Sequence, residues 1–108
     1  MSEEVEKKLG ITFEYDKIEE NQTSIFAHAN DKELPIILAI LERKNDTTWW
    51  IGVTDITNGK PILDAVCYRG RSFAEKVARE AIRGCYLRIG KHRRMTANRQ
   101  KKAEVKHD

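Results

Sequence analysis

The chain has little of what defines several large protein classes. Only two of its 108 residues are cysteine, so no disulfide framework is expected and Cys67 and Cys85 are predicted to be free thiols. No stretch approaches the roughly 18 apolar residues that a membrane-spanning helix needs. The acidic start Met-Ser-Glu-Glu-Val-Glu lacks the basic-then-apolar order of a signal peptide. We therefore expect a cytoplasmic protein with no membrane contact.

Catalytic and metal-binding motifs are also missing. The chain contains no Walker-type loop, no Gly-x-Ser-x-Gly and no Rossmann glycine pattern. Cys85 and His92 are spaced seven residues apart, which matches none of the usual zinc motifs. We therefore expect neither an enzyme nor a bound cofactor or metal. One alternative stays open, because Asp55 and Asp64 near a predicted hairpin end could hold a divalent cation for phosphodiester chemistry.

What the chain does have is charge, and the charge is segregated. Charged residues make up 34% of the chain, against an average of roughly 25%. Residues 1–50 carry 11 acidic and 6 basic groups, whereas residues 51–108 carry 6 acidic and 14 basic groups. The net charges of the two halves are −5 and +8, which sum to +3 for the whole chain. Between 69 and 102 there are 12 Lys or Arg and only two acidic residues. Such segregation steers polyanions toward one end of a small protein.

The first third of the chain predicts a short helix followed by strands. Residues 2–9 suit a helix that ends at Gly10, where the missing Cβ permits a left-handed backbone. Apolar and polar residues then alternate over 11–16, which is typical of a half-buried strand, and 23–29 predicts a second strand. The apolar run 34–43 suits either a strand or a buried helix, and its β-branched content favours a strand that begins near its proline.

A hairpin is predicted between Thr48 and Arg69. Asn58 and Gly59 have the composition of a two-residue type I′ turn. That turn would pair Trp49 with Tyr68, as an aromatic core contact or a platform for unpaired bases. It would also place Gly52 opposite Ala65. Because both residues are small, a helix could approach the sheet closely at this point. Both faces of the hairpin are rich in apolar residues, so a second element or a second subunit is expected to cover the outer one, and a homodimer is possible.

The last regular element is predicted to be a helix over residues 72–90. Ser72 and Glu75 have the spacing of a capping box, and Gly90 is expected to end or weaken the helix. Residues 91–108 contain too little apolar surface to pack, so they predict a basic tail or a helical extension. The side that packs on the sheet is expected to comprise Ala74, Val77, Ala78, Ala81, Cys85 and Ile89, with Lys76, Arg79 and Arg83 on the other side.

The layout of residues 47–90, with strands followed by a basic-edged helix, loosely resembles two nucleic-acid-binding families. They are the double-stranded RNA-binding domain and the three-stranded arm-binding domain of phage integrases. The comparison depends on the Asn-Gly-Lys turn at 58–60 and on Gly-Arg-Ser-Phe-Ala-Glu at 70–75. Double-stranded RNA-binding domains usually open their last helix with a Lys-Lys-x-Ala-Lys cluster, where this chain has Arg-Ser-Phe-Ala-Glu-Lys.

These patterns predict one α+β domain over 1–90: a mainly antiparallel sheet of four or five strands, with a C-terminal helix packed on one face and a basic tail. The first hypothesis for its function is a non-enzymatic protein that contacts nucleic acid, alone or within a nucleoprotein complex. Phosphate contact needs basic groups on one surface near a helix start. The candidate residues are Arg69, Arg71, Lys76, Arg79, Arg83, Arg88, Lys91, Arg93 and Arg94.

A second hypothesis is a small inhibitor or adaptor, of the viral or plasmid type, that binds a host protein or nucleoprotein complex. Its acidic first half, including Glu14, Asp16, Glu19 and Glu20, could mimic phosphates toward a basic protein partner. The two hypotheses differ in the charge of the partner, which is negative in the first and positive in the second.

Overall fold

A computed structural model shows seven elements of regular structure. It describes the backbone of residues 2–19 and 21–105 and the side chains of residues 4, 6–16, 19 and 21–90. The elements are α1 (Ser2–Leu9), β1 (Thr12–Glu19), β2 (Gln22–His28), β3 (Ile37–Arg43), β4 (Trp49–Asp55), β5 (Lys60–Cys67) and α2 (Arg71–Val105). Gly10 ends α1 with a φ of 63°, as its lack of a Cβ predicted.

The five strands form one antiparallel sheet in chain order, from β1 at one edge to β5 at the other. The long helix α2 packs against β3, β4 and β5 on one face. The predicted fold class, α+β with an antiparallel sheet and a C-terminal helix on one face, is therefore confirmed. Because every connection joins neighbouring strands, the sheet is a simple meander.

The ambiguous segment 34–43 contains a strand. Ile37, Ala39 and Leu41 are fully buried beneath α2, whereas Leu38 and Ile40 are half-buried on the other face. The burial thus has the period of two that a strand requires, although apolar residues occupy both faces. Pro35 precedes the strand, where its missing N–H leaves no ladder bond unmade.

The core lies between α2 and the sheet. Fully buried side chains of β2, β3 and β4 meet Ala74, Ala78, Ile82 and Tyr86 of α2, which are also fully buried. The predicted helix face is therefore wrong in part, because it omitted the fully buried Ile82 and Tyr86, whereas Cys85 packs against this core as a partly buried residue, as predicted. A step of four residues turns about 40° more than a full turn, so the contact line drifts around the helix.

The loop between β4 and β5 is longer than predicted. Asp55 pairs with Lys60, so the loop has four residues, 56–59. Gly59 has a φ of 67°, but no residue other than glycine has a positive φ in the part of the chain that the structure describes, so the type I′ turn is wrong. The carboxylate of Asp55 accepts hydrogen bonds from the amide and the side-chain nitrogen of Asn58, both at 2.9 Å, and these bonds stabilise the longer loop.

A bulge in β5 then changes the register. Val53 pairs with Leu63 and Thr54 with Pro61, which leaves Ile62 as the extra residue. One extra residue turns every following side chain to the opposite face. Trp49 therefore pairs with Cys67, and the predicted pairing of Trp49 with Tyr68 is wrong.

The start and end of α2 also differ from the prediction. The helix begins at Arg71, and the carbonyl of Gly70 accepts the first helical hydrogen bond, from the amide of Ala74 at 3.1 Å. Glu75 accepts a hydrogen bond from the Nε of Arg71 at 3.0 Å, so the capping box is wrong. At the other end the helix continues through Gly90 to Val105. Its backbone hydrogen bonds tolerate a glycine at a cost of about 1 kcal/mol.

The second face of the sheet, here called the open face, has no described helix packed on it. Its apolar side chains alternate along the strands with the buried core residues. They are Phe26, Leu38, Ile40, Trp50 and Val66. The sequence predicted an apolar outer face, and the structure assigns these residues to it.

Candidate nucleic-acid interface

The nine basic candidates fall into three groups along α2. Arg69, Arg71 and Lys76 lie near its start and are exposed. The guanidinium of Arg69 stacks on the ring of Phe73, with 5.2 Å between the carbon Cζ and the ring centroid. Arg71 forms an exposed ion pair with Glu75, and Lys76 forms no ion pair with a residue whose side chain the structure describes. The three side chains are thus accessible to solvent, although Arg69 and Arg71 already contact neighbouring residues of α2.

The second group, Arg79 and Arg83, binds a carboxylate from the first helix. Nη1 of Arg83 donates to Oε1 of Glu6 at 2.6 Å, and Nη2 of Arg79 lies 3.3 Å from the same oxygen. Arg83 is only 8% exposed. The structure therefore places both guanidinium groups in a contact that holds α1 against α2, here called the Glu6 clamp.

Arg79 also anchors the edge strand β1. Its guanidinium lies over the ring of Phe13, 4.6 Å from the centroid, and its Nη1 is 3.5 Å from the hydroxyl of Tyr15. A cation over an aromatic ring contributes about 0.5–1 kcal/mol to stability at a solvent-exposed site. The four-residue spacing of Arg79 and Arg83, which puts both on one helix face, is the only sequence signal for this arrangement.

The third group lies near the middle of the helix. Arg88 is exposed and stands two residues beyond Tyr86, the last fully buried residue of α2. Lys91, Arg93 and Arg94 lie in the helical backbone, but their side chains lie outside the described residues. From Tyr86 to Val105 the helix continues for about 28 Å at 1.5 Å per residue. Residues 87–105 are called the helical arm below.

The helical arm has almost no negative charge. Between Glu80 and Glu104 the chain contains eight basic residues and no acidic one. The molecule measures 65 × 26 × 22 Å along its principal axes, which fits a helix that extends well beyond the sheet. The structure thus separates the described candidates into exposed residues at the start of α2, a pair bound to Glu6, and exposed Arg88, about 25 Å along the helix from Arg71.

The possible cation site at Asp55 and Asp64 is wrong. Asp55 pairs with Ile37 and is 5% exposed, on the side of the sheet that α2 covers. Asp64 pairs with Gly52 on the open face, because the bulge inverts β5. In the part of the chain that the structure describes, no three His, Cys, Asp or Glu side chains gather as metal ligands would.

Neither cysteine has the environment of a reactive thiol. Burial raises the pKa of the Cys85 thiol, and the nearby charge of Arg88 offsets this only in part. Cys67 is buried and its sulfur accepts a hydrogen bond from the amide of Arg69 at 3.4 Å. Since the thiolate is the reactive form, Cys85 is expected to stay a protonated, inert side chain at neutral pH.

Trp50 on the open face is the feature that sequence reasoning missed. Its indole Nε1 donates a hydrogen bond to Oδ1 of Asp64 at 2.5 Å, and its ring lies over Gly52. A methyl group at Gly52 would lie 2.5 Å from Cη2 and 2.7 Å from Cζ2 of that ring. Gly52 therefore permits the indole to lie flat on the sheet.

We expect Gly52→Ala to displace the Trp50 ring from the sheet. The loss of its hydrogen bond to Asp64 should lower the free energy of unfolding by about 1 kcal/mol and move the indole N–H resonance toward that of free tryptophan. Gly84→Ala is the matched control, because a Cβ there meets no atom within 4 Å and alanine favours a helix by about 1 kcal/mol. Urea unfolding and proton–nitrogen spectra measure both effects. An unmoved indole resonance in Gly52→Ala would contradict this packing.

Comparison with protein-family models, with curated proteins and with solved structures finds no match for this chain.

None of the described helices has the length and apolar content needed to cross a membrane.

Proposed function

We propose that the protein is a non-enzymatic nucleic-acid-contacting protein and that its helical arm makes the principal contact with phosphates. The observation that supports this is the run of seven basic residues from Arg88 to Lys102 without any acidic one, on a helix that continues past the sheet to Val105. Each basic side chain that neutralises a phosphate releases counterions, which drives binding without sequence preference.

Arg69, Arg71 and Lys76 are assigned a supporting contact at the other end of α2. They are exposed, and they lie close to the helix start, whose free amides favour anions. Arg79 and Arg83 are given a structural role in this proposal, because both already form ion pairs with Glu6. The contact residues are then Arg69, Arg71, Lys76, Arg88, Lys91, Arg93 and Arg94.

The cytoplasm is the compartment we propose for this activity. Cys67 and Cys85 are both free thiols, which is the usual state of cysteines in a reducing compartment. In that compartment, we propose nucleic acid as the partner of the basic helix.

Reversing two charges of the arm tests the proposal. We expect Arg93→Glu with Arg94→Glu to weaken binding to a fluorescently labelled DNA duplex by at least about tenfold at moderate salt, and to lower the slope of log K against log salt by roughly 2. Fluorescence anisotropy measures both quantities, and the same variant titrated with duplex RNA and single strands ranks the preferred nucleic acid.

Lys32→Glu with Lys60→Glu is the matched control, since it changes the net charge equally at two exposed positions outside α2. We expect this control to change affinity less than about threefold. Equal losses in the two double variants would show that only the net charge matters and would contradict a contact through the arm.

A further inference from the structure

The open face carries an apolar strip that nothing in the described structure covers. Phe26 pairs with Leu38 across β2 and β3, and Trp50 pairs with Val66 across β4 and β5, with Ile40 between them. Val66 is 48% exposed. Phe26, Leu38, Ile40 and Trp50 are half-buried, so each still presents part of its apolar surface to solvent. An apolar strip of this kind, rimmed by polar residues, is typical of an interaction surface.

Carboxylates flank the strip at both edges of the sheet. On β1, Glu14 and Asp16 are exposed and pair with residues of the open face of β2. On β5, exposed Asp64 pairs with Gly52. Among the described residues, His28 lies 3.3 Å from Glu14 and Lys44 lies 2.9 Å from Glu42, whereas Asp16 and Asp64 form no ion pair with a described basic residue. The rim of the open face is therefore negative.

The width of the sheet indicates what can lie between these edges. The edge strands β1 and β5 are four strand spacings apart, or about 19 Å at 4.8 Å per spacing. A helix with its side chains is about 10–12 Å across, and lysine and arginine extend a charged group beyond an apolar stem. One helix laid along the strip would therefore bring flanking basic side chains to both acidic edges.

We propose that the open face binds an amphipathic helix of a partner protein, whose apolar stripe is flanked by lysine or arginine. The apolar stripe would pack on Phe26, Leu38, Ile40 and Trp50, and the basic flanks would meet Asp16 on one side and Asp64 on the other. The sheet would then have a helix on each face, with α2 on one and the partner on the other. This inference goes beyond the proposed nucleic-acid contact and does not depend on it.

The charges of the face argue against other occupants. A second copy packed face to face would bring Glu14, Asp16 and Asp64 against the same carboxylates, and like charges disfavour such contact. The helical arm of a second copy has the right charge, but Met95 and Val105 are its only large apolar residues beyond position 90. Nucleic acid would meet the same negative rim, so its phosphates would be repelled.

Trp50 reports directly on this face because its indole N–H is bonded to Asp64. The test titrates the nitrogen-15-labelled protein with a synthetic peptide of about 18 residues that consists of leucine and lysine, with leucines at helical spacing i, i+3, i+4, i+7. We expect the Trp50 indole resonance and the open-face amides to shift together. A peptide with the same lysines and with serine replacing leucine should shift them at least about tenfold more weakly.

Variants in the apolar strip and at its acidic edges test the two parts of the proposed contact separately. We expect Val66→Lys, and separately Asp16→Lys with Asp64→Lys, to weaken peptide binding by roughly tenfold or more. Asp46→Lys with Glu80→Lys makes the same charge change at exposed positions off this face and should change affinity less than about threefold. A loss of binding confined to the first two variants supports the proposal.

Three results would overturn the assignment. They are equal shifts with the serine peptide, a shift of Trp50 produced by an oligonucleotide, and a shift that depends on protein concentration without any peptide, which would indicate self-association. Arg93→Glu with Arg94→Glu should bind the peptide like the unmodified protein, so failure here is distinguishable from failure of the nucleic-acid proposal.

Discussion

Replacing Tyr86 with alanine should lower the free energy of unfolding by about 4 kcal/mol, which is the usual cost of removing a large aromatic ring from a core. Tyr86 is fully buried, and its hydroxyl lies 2.7 Å from the carbonyl of Pro35 and 3.1 Å from that of Ala27. The ring thus fixes the start of β3 and the end of β2 to α2. Leu87→Ala, at a neighbouring position that is 45% exposed, should change stability by no more than about 0.5 kcal/mol. Urea unfolding followed by circular dichroism measures both, and similar losses would contradict the assigned core.

The hydroxyl alone can be isolated with Tyr86→Phe and alkaline pH. Burial raises the pKa of Tyr86 to about 12, and the charges of Cys85 and Asp55 contribute further, whereas a tyrosine in an unfolded chain has a pKa near 10. Because the folded pKa is the higher one, the stability that Tyr86 contributes is complete below pH 10 and is lost as the pH rises through 12.

We therefore expect the unmodified protein to lose stability relative to Tyr86→Phe over that window, by on the order of 2 kcal/mol. At pH 8 the unmodified protein should be the more stable of the two, because the phenylalanine variant lacks a hydrogen bond worth about 1 kcal/mol. A difference between the two proteins that stays constant from pH 8 to pH 11.5 would contradict the burial of the hydroxyl.

Replacing Glu6 with glutamine should lower the free energy of unfolding by about 2–3 kcal/mol. The side chains of Glu6 and Arg83 are 17% and 10% exposed, so the variant leaves a nearly buried guanidinium without its counter-charge, which is the costly way to break an ion pair. Arg79 loses the same partner. Proton–nitrogen spectra should show α1 released from α2.

Glu75→Gln is the control for this prediction, because its ion pair with Arg71 is exposed at 44% and 28% and contributes about 0.5 kcal/mol or less. Glu6→Leu combined with Arg83→Met should recover most of the loss, since apolar residues replace a buried pair at little cost. Equal effects of Glu6→Gln and Glu75→Gln would show that the Glu6 clamp is not a buried interaction.

The parts of the fold that local chemistry determines were predictable. Alternation of apolar and polar residues indicated the strands, and Gly10 ended the first helix in the conformation that its missing side chain allows. The segment 34–43 was ambiguous for a physical reason: both of its faces carry apolar residues, so periodicity alone could not distinguish strand from helix.

Contacts between distant segments account for what sequence reasoning missed. The register of the last hairpin depends on a four-residue loop and on the bulge at Ile62, which no local signal marks. Glu6 and Arg83 lie 77 residues apart, so no local sign in the sequence indicates that a carboxylate holds this arginine. The positions of Trp50 and Asp64 on one face followed only from the corrected register.

The central claim is that phosphate contact belongs to the helical arm while the arginines of the Glu6 clamp are structural. Titration of the nitrogen-15-labelled protein with a short DNA duplex, with both backbone amides and arginine Nε–H groups observed, tests it most directly. The account predicts shifts at residues 87–105 and at Arg88, and unchanged Nε–H resonances at Arg79 and Arg83. Shifts at Arg79 and Arg83 with an unaffected arm would contradict it.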